Sequence, residues 1–332
     1  MIVTLSPSLS AEQVDQLAAT HQGIALQDQG NTVLVLSAKV KELPAGLAEH
    51  AVSHVVTDTD IQLGSRAYRP ETRTLSWGNV TIGGNTGNTV MMAGPCSVES
   101  EEQITQVAEF LKGLGITTLR AGCFKPRTSP YTFRGLGMEG LRLLGKMRDQ
   151  YGFTIITEVR DASHVDAVIE HSDIVQVGAK AMYDHGILQK CGESRKPVLL
   201  KRSFGATLQE FAQMADFVLS LGNDQVMLCE RGIRTFEHNT RFTLDLTGVA
   251  WLKKTTNLPV ILDPSHAMGY AYGVPDLARA CAAMGVDGLL IESHPNPKVA
   301  MSDAAQQLDF PTFEAMYKTL PPILGAIGRQ LV

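Results

Sequence analysis

Four side chains able to bind a divalent cation, Cys96, His266, Glu292 and Asp303, are scattered along a chain of 332 residues. Six cations, Arg120, Lys125, Arg127, Lys180, Lys201 and Arg231, are scattered with them. Nearly all lie at or just past the end of a short apolar run. One thiolate, one imidazole and two carboxylates mix soft and hard donors, which suits Mn, Fe, Co or Zn rather than Mg or Ca. No tight motif such as CxxC ties the four together, so spacing alone leaves open buried cysteine and helix-capping carboxylates. Each cation, taken singly, reads as a solvated surface charge. Gathered on one rim they would repel one another unless anions bind there. Arginine brings a bidentate fork and lysine a point charge, so several of each point to more than one phosphate or carboxylate.

The elements that carry these residues supply the reason to gather them. Eight apolar runs recur, at 90–93, 116–119, 153–156, 174–177, 197–200, 225–228, 259–262 and 288–291, each followed by a helical pattern. Continuous rather than alternating apolar runs mean strands buried on both faces, hence a parallel sheet. Eight such units predict a (β/α)8 barrel, with a doubly wound sheet as the alternative. The carboxyl ends of barrel strands carry the chemistry. Here those ends read Gly94-Pro95-Cys96, Arg120, Glu158, Gly178-Ala179-Lys180, Lys201-Arg202, Glu230-Arg231, Asp263-Pro264-Ser265-His266 and Glu292-Ser293-His294, with Asp303 in the loop beyond. The segment from Cys123 to Gly137 carries Pro126, Pro130, Gly135 and Gly137, so no helix is expected through it, and so long an irregular stretch is more often functional than idle. Its Arg127, Thr128 and Ser129 offer a fork and two hydroxyls to a phosphate.

Ahead of the barrel, residues 1–65 predict a small βαββαβ unit of ferredoxin-like type, with a first helix opened by a Ser10/Gln13 capping box and a second spanning about 40–50. Residues 66–88 read as a linker with one hairpin at 74–82, and 89–332 as the barrel. A net charge of -5 argues against general nucleic-acid or membrane-surface binding. No apolar run approaches a membrane span, and the first residues do not resemble an export signal. Five widely spaced cysteines suit a reducing cytoplasm better than a disulfide framework.

From about Ala93 onward the chain resembles 3-deoxy-D-arabino-heptulosonate 7-phosphate (DAHP) synthase of the type I barrel family. The resemblance rests on Ala93-Gly94-Pro95-Cys96-Ser97-Val98-Glu99, Leu119-Arg120-Ala121-Gly122, Lys125-Pro126-Arg127-Thr128-Ser129-Pro130, Pro197-Val198-Leu199-Leu200-Lys201-Arg202, Cys229-Glu230-Arg231-Gly232-Ile233-Arg234-Thr235-Phe236 and Asp263-Pro264-Ser265-His266. The N-terminal unit is similar to the ferredoxin-like domain of the family's β branch. The resemblance implies that Cys96, His266, Glu292 and Asp303 hold a divalent metal. It implies that Arg120, Lys125, Lys180, Lys201 and Arg231 hold phosphoenolpyruvate, and that Lys125, Pro126, Arg127, Thr128 and Ser129 hold erythrose 4-phosphate. The family usually has Gly-Ala-Arg-Asn where this chain has Gly178-Ala179-Lys180-Ala181, which keeps the charge and loses the fork.

The chemistry implied is an aldol-type condensation, the first step of the shikimate pathway to aromatic amino acids. The metal would polarise the aldehyde, Lys125 would protonate its oxygen, Lys201 and Arg231 would stabilise the carboxylate and leaving phosphate, and Glu230 or Glu158 would orient the water. Three rivals are distinct: 3-deoxy-manno-octulosonate 8-phosphate synthase, whose strand-2 loop lacks the Pro126-Arg127 pair; a class I aldolase with Lys201 as Schiff-base lysine; and a barrel retained as an effector-sensing scaffold. The N-terminal unit reads as a site of feedback control by an aromatic amino acid, or else as an assembly domain. Related enzymes are commonly tetramers.

Overall fold

The computed structural model describes residues 1–125 and 131–332. The chain begins with four strands, β1 (Ile2–Leu5), β2 (Ile24–Asp28), β3 (Asn31–Val35) and β4 (Ala51–Val55). They form one antiparallel sheet in the order β2-β3-β1-β4. Helix α1 (Ala11–Thr20) opens at Ser10, whose hydroxyl accepts from the Gln13 N–H while the Gln13 side chain accepts from the Ser10 N–H. Met1, Val3, Leu5, Leu34, Leu36 and Leu47 form the core, with Val14 and Leu17 of α1 packed on it. The helix expected over 40–50 is only one turn, α2 (Ala45–Ala48). Pro44 lacks an N–H and disfavours helical backbone at Leu43, and Gly46 weakens the turn itself.

Eight parallel strands then close into a barrel: β7 (Asn88–Gly94), β8 (Thr118–Arg120), β9 (Thr154–Val159), β10 (Ile174–Val177), β11 (Val198–Lys201), β12 (Val226–Glu230), β13 (Val260–Leu262) and β14 (Gly288–Glu292), with β14 pairing back onto β7. The helices outside are α3 (Glu101–Gly113), α4 (Met138–Tyr151), α5 (Val165–His171), α6 (His185–Glu193), α7 (Leu208–Ser220), α8 (Leu246–Thr255), α10 (Val274–Ala283) and α11 (Phe310–Ala326), and the short, fully buried α9 (Pro264–Met268) follows β13 at the strand carboxyl ends. The expected hairpin is β5 (Leu75–Trp77) with β6 (Val80–Ile82). Its Leu75, Trp77, Val80 and Ile82 cluster with inward side chains such as Val90, Met92, Ile156 and Met227, so it plugs the end of the barrel opposite the strand carboxyl ends. A final short strand, β15 (Gln330–Leu331), which no apolar run announces, adds to β7. Among the described residues no helix is long and apolar enough to cross a membrane, and all five cysteines are free and buried.

Strand parity separates two layers. On β11, Val198 and Leu200 belong to the outer core against the helices, whereas Leu199 faces inward. On β12, Val226 and Leu228 are outward, and Met227 and Cys229 inward. Because side chains alternate, Lys201 and Arg231 continue the inward rows while Arg202 and Glu230 continue the outward ones.

The linker and the residues just before it join the small sheet to the barrel through polar contacts. Arg73 pairs with Asp28 at 3.1 Å and donates to Asn257 Oδ1 at 3.0 Å. Asp216 of α7 accepts from the Gln62 N–H at 3.2 Å and the Gly64 N–H at 2.6 Å. Burial pushes the Asp216 carboxyl up from 3.8 to about 6, against these two donors. A folded-state value above the unfolded one means stabilisation that is complete below 3.8 and lost as pH rises through about 6. Denaturant titrations of the wild type and Asp216→Asn should therefore show a stability difference that moves against the wild type as pH is raised from about 4 to about 7. A pH-independent difference would contradict this origin.

Candidate active site

The inward rows of strand ends meet at one mouth. Glu292 ends β14 opposite Gly94 of β7 in the pairing that closes the sheet. Cys96 follows two residues after Gly94. Gly94 has a φ of +143°, and any side chain there would run into the Arg120 carbonyl. Arg120, on the next strand, donates from Nη1 to Glu292 Oε1 at 2.7 Å and to the Pro95 carbonyl at 2.8 Å. Lys125 donates to Cys96 Sγ at 3.1 Å. It passes so close to Gly122 that a Cβ there would lie 2.8 Å from its Nζ.

Cys96, Glu292 and Asp303 each place a donor atom within 4.8 Å of the others. His266 Nε2 lies 3.5 Å from Glu292 Oε1 and 3.7 Å from Asp303 Oδ2. Bonds of about 2.0–2.3 Å to a shared ion hold donors roughly 3–4 Å apart; Cys96, Glu292 and Asp303 form such a group, and His266 borders it on the side of the two carboxylates. Asp263 Oδ2 stands 2.8 Å from His266 Nδ1, while Nε2 faces Glu292 and Asp303. Burial pushes His266 down, against the pull of Asp263 and Glu292, favouring the neutral ring a ligand needs. Burial, with Glu292 beside it, pushes the Cys96 thiol up to about 12, while Lys125 opposes. The thiol meets Asp303 Oδ2 at 3.3 Å. Burial works against charge on Asp303, but His266, Arg241 and Lys125 outweigh it and hold that carboxyl below the ordinary range. Asp303 sits at φ +45°, in left-handed backbone that costs on the order of 1 kcal/mol outside glycine.

Beside this cluster opens a cavity of about 360 Å³ walled by Arg160, Lys180, Arg231, Arg234 and Arg241, with His266 and Asp303 at its edge. Arg231 is 5% exposed, and its Nε has no hydrogen-bond partner among the described residues. Its guanidinium lies 4.5 Å from the centre of the Phe242 ring, and that of Arg234 4.4 Å from Phe204. These rings stiffen the cations without neutralising them. A larger cavity of about 660 Å³ lies on the far side of the loop that carries Asp303, between Tyr272, Pro297 and Thr312, and has Lys298 as its one cation among the lining residues.

The structure thus brings together Cys96, Arg120, Lys125, Lys201, Arg231, His266, Glu292 and Asp303, with Lys180 exposed on the cavity wall. Lys201 is engaged by Asp263 at 2.5 Å. Glu230 is not brought to the mouth. Its carboxylate takes Arg202 Nη1 at 2.9 Å and the Gly232 N–H at 2.6 Å on the helix side, as its outward parity requires. Glu158 does face the mouth. Burial opposes its charge, but Arg160, at 2.6 Å, with Lys125 and Lys201, holds it well below the usual carboxylate range. Pro126, Arg127, Thr128 and Ser129 lie outside the described residues. Sequence reasoning gave no role to Arg160, Arg234 and Arg241. Parity would have flagged Arg160, two residues after Glu158, whereas Arg241 lies in the irregular stretch between β12 and α8, where no periodicity speaks.

Comparison with known proteins gives a consistent answer. Residues 56–323 match the DAHP synthetase I family. The phospho-2-dehydro-3-deoxyheptonate aldolase of Thermotoga maritima is 38% identical, over all of this chain and all of its own. The crystal structure of that aldolase, described as a DAHP synthase, superposes with a TM-score of 0.81 over 100% of this chain and 99% of that one. A 2-dehydro-3-deoxyphosphooctonate aldolase of Acidithiobacillus ferrooxidans is 33% identical over 72% of this chain and 91% of its own.

A buried guanidinium with an unpartnered Nε costs the free protein stability, and an anion in the cavity would supply the missing partner. Arg231→Met should therefore leave the melting temperature of the free protein no lower than the wild type's, while removing the rise that inorganic phosphate gives the wild type. A lower melting temperature with the phosphate response intact would refute the assignment.

Proposed function

The chain belongs to the DAHP synthetase I family and is an enzyme of that class, and from that premise we propose how its own residues join phosphoenolpyruvate to erythrose 4-phosphate, giving DAHP and phosphate. Support comes above all from one observation: a donor cluster of Cys96, Glu292 and Asp303, bordered by His266, reaches through His266 and Asp303 the edge of a cavity walled by five cations. Arg120, Lys125, Lys180, Lys201 and Arg231 take phosphoenolpyruvate, with Lys180 and Arg231 toward its phosphate. Lys125, Pro126, Arg127, Thr128 and Ser129 take erythrose 4-phosphate. Cys96, His266, Glu292 and Asp303 hold a divalent ion of the Mn, Fe, Co or Zn kind, which when bound supplies a Lewis acid for the aldehyde.

The enol carbon of phosphoenolpyruvate forms the new bond to the aldehyde carbon. Lys125, between both substrates and against Cys96, gives its proton to the aldehyde oxygen. Lys201, fixed by Asp263, and Arg231 counter the carboxylate and phosphate charges as they shift. Water adds to the carbon left electron-poor, one of its protons restoring Lys125 and the other leaving with the phosphate as the bond from that carbon to the phosphate oxygen breaks. We assign the orientation of that water to Glu158, because it faces the mouth and Glu230 does not.

The octulosonate reading is weaker. The relative that acts on the heptonate matches the whole chain, N-terminal sheet included, whereas the octonate aldolase matches 72% of it. The engagement of Lys201 by Asp263 speaks against a Schiff-base lysine. We place residues 1–65 as a regulatory domain for an aromatic amino acid effector, residues 66–88 as its linker and 89–332 as the catalytic barrel, in a cytoplasmic homotetramer with no nucleic-acid or membrane partner.

Phosphate release from phosphoenolpyruvate should require erythrose 4-phosphate, fail with arabinose 5-phosphate, and stop with a chelator. Cys96→Ala should lower turnover on the order of a thousandfold, the equivalent of several kcal/mol. Retained metal-dependent turnover in that variant would remove Cys96 from the ligand set. Lys180→Arg, which restores the fork, should lower the KM for phosphoenolpyruvate a few-fold. An unchanged KM would show that the fork adds nothing at this position.

A further inference from the structure

Between the metal donors and the cation wall lies a buried amide that the condensation chemistry leaves without a role. Gln306 donates from Nε2 to Glu292 Oε2 at 2.7 Å and reaches Asp303 Oδ2 at 3.5 Å. Its Oε1 accepts from Arg241 Nη1 at 2.6 Å. Its backbone N–H closes a turn on the Asp303 carbonyl at 3.2 Å, and Asp303 is the left-handed residue of this loop. The next residue, Gln307, accepts the Cys96 N–H at 2.9 Å and donates to the Ser302 carbonyl at 2.8 Å. Both glutamines are buried.

The residue type is what the position demands. Glu292 and Asp303 present two carboxylates side by side and need a donor, while Arg241 presents a donor and needs an acceptor. Of the uncharged side chains, an amide of this length can serve both at once. A glutamate would add a third negative charge, and an apolar side chain would leave buried carboxylate oxygens without their donor. Asp303 is held in strained backbone, so its carboxylate needs an external support to stay in the donor set.

We propose that Gln306 is a positioning residue for the metal site: its amide fixes Glu292 and Asp303 in one donor set and takes its own orientation from Arg241 on the wall of the anion cavity. Gln307 gives the matching support to the Cys96 backbone. The inference rests on the metal site proposed for Cys96, His266, Glu292 and Asp303, and adds a residue that touches neither ion nor substrate.

The test is Co²⁺ binding to the full chain, read by calorimetry and by the visible absorption bands, which report ligand geometry. Gln306→Met keeps the volume and removes the amide. Gln306→Asn keeps the amide and shortens its reach, and serves if the first variant does not fold. Loss of an outer-layer contact of this kind weakens metal binding about 10–100-fold. We expect that loss for Gln306→Met, with altered Co²⁺ bands, and a smaller loss for Gln306→Asn. A purely structural residue would lower the unfolding midpoint of the metal-free protein and leave affinity and bands alone. Affinity within twofold of the wild type with unchanged bands in Gln306→Met, or in Gln306→Asn where the Met variant does not fold, overturns the proposal. A wild type that binds no Co²⁺ would instead remove the metal site itself, and the proposal with it.

Discussion

The seam where β14 meets β7 is the constraint on which the site depends. Glu292 pairs with Gly94 across it, so the last strand of the barrel delivers its carboxylate beside the loop that carries Cys96. Arg120 then bonds Glu292 and the Pro95 carbonyl together, linking strands that are first, second and last in the barrel. Removing one partner of a buried pair of this kind costs about 3–5 kcal/mol. A slip of one residue along the seam would turn Glu292 to the helix layer. The N-terminal plug of β5 and β6 fills the opposite end, so the mouth is left as the barrel's opening to solvent.

Charge divides the mouth into two halves. In one, acids and bases are matched: Arg120 with Glu292, Lys201 with Asp263, Arg160 with Glu158. This half is held rigid, and its remaining lone pairs converge where a cation fits. In the other half, Arg231 and Arg234 lean on aromatic rings rather than carboxylates. That half carries a standing excess of positive charge in a chain whose net charge is -5. In the proposed reaction, substrates bearing phosphate would supply the missing anions. Catalytic capacity and stability are therefore opposed at these arginines.

Much of this is legible in the sequence because a parallel barrel writes itself as repeated, continuously apolar runs. Once the runs are found, the residues just past each of them are candidates for the mouth. Period-two parity sorts them further. It separates Lys201 from Arg202 and Arg231 from Glu230, and it explains why Glu230, a candidate catalytic carboxylate by its place at a strand end, binds Arg202 on the helix side. Contacts made by irregular segments are not legible in the same way. Arg241 and Gln306 lie in loops, and their relation to Glu292 exists only after the chain has closed on itself. The short α2 shows a different limit, since the apolar pattern over 40–50 is real but Pro44 and Gly46 leave room for a single turn.

The central claim is that one ion is shared by Cys96, His266, Glu292 and Asp303 beside a cavity that takes the phosphate of phosphoenolpyruvate. Anomalous diffraction from crystals grown with Mn²⁺ and phosphoenolpyruvate tests it most directly. The account predicts a single strong peak in contact with Cys96 Sγ, His266 Nε2 and both carboxylates, with the phosphate against Arg231. A peak elsewhere, or one that leaves Cys96 and His266 uncoordinated, would contradict it.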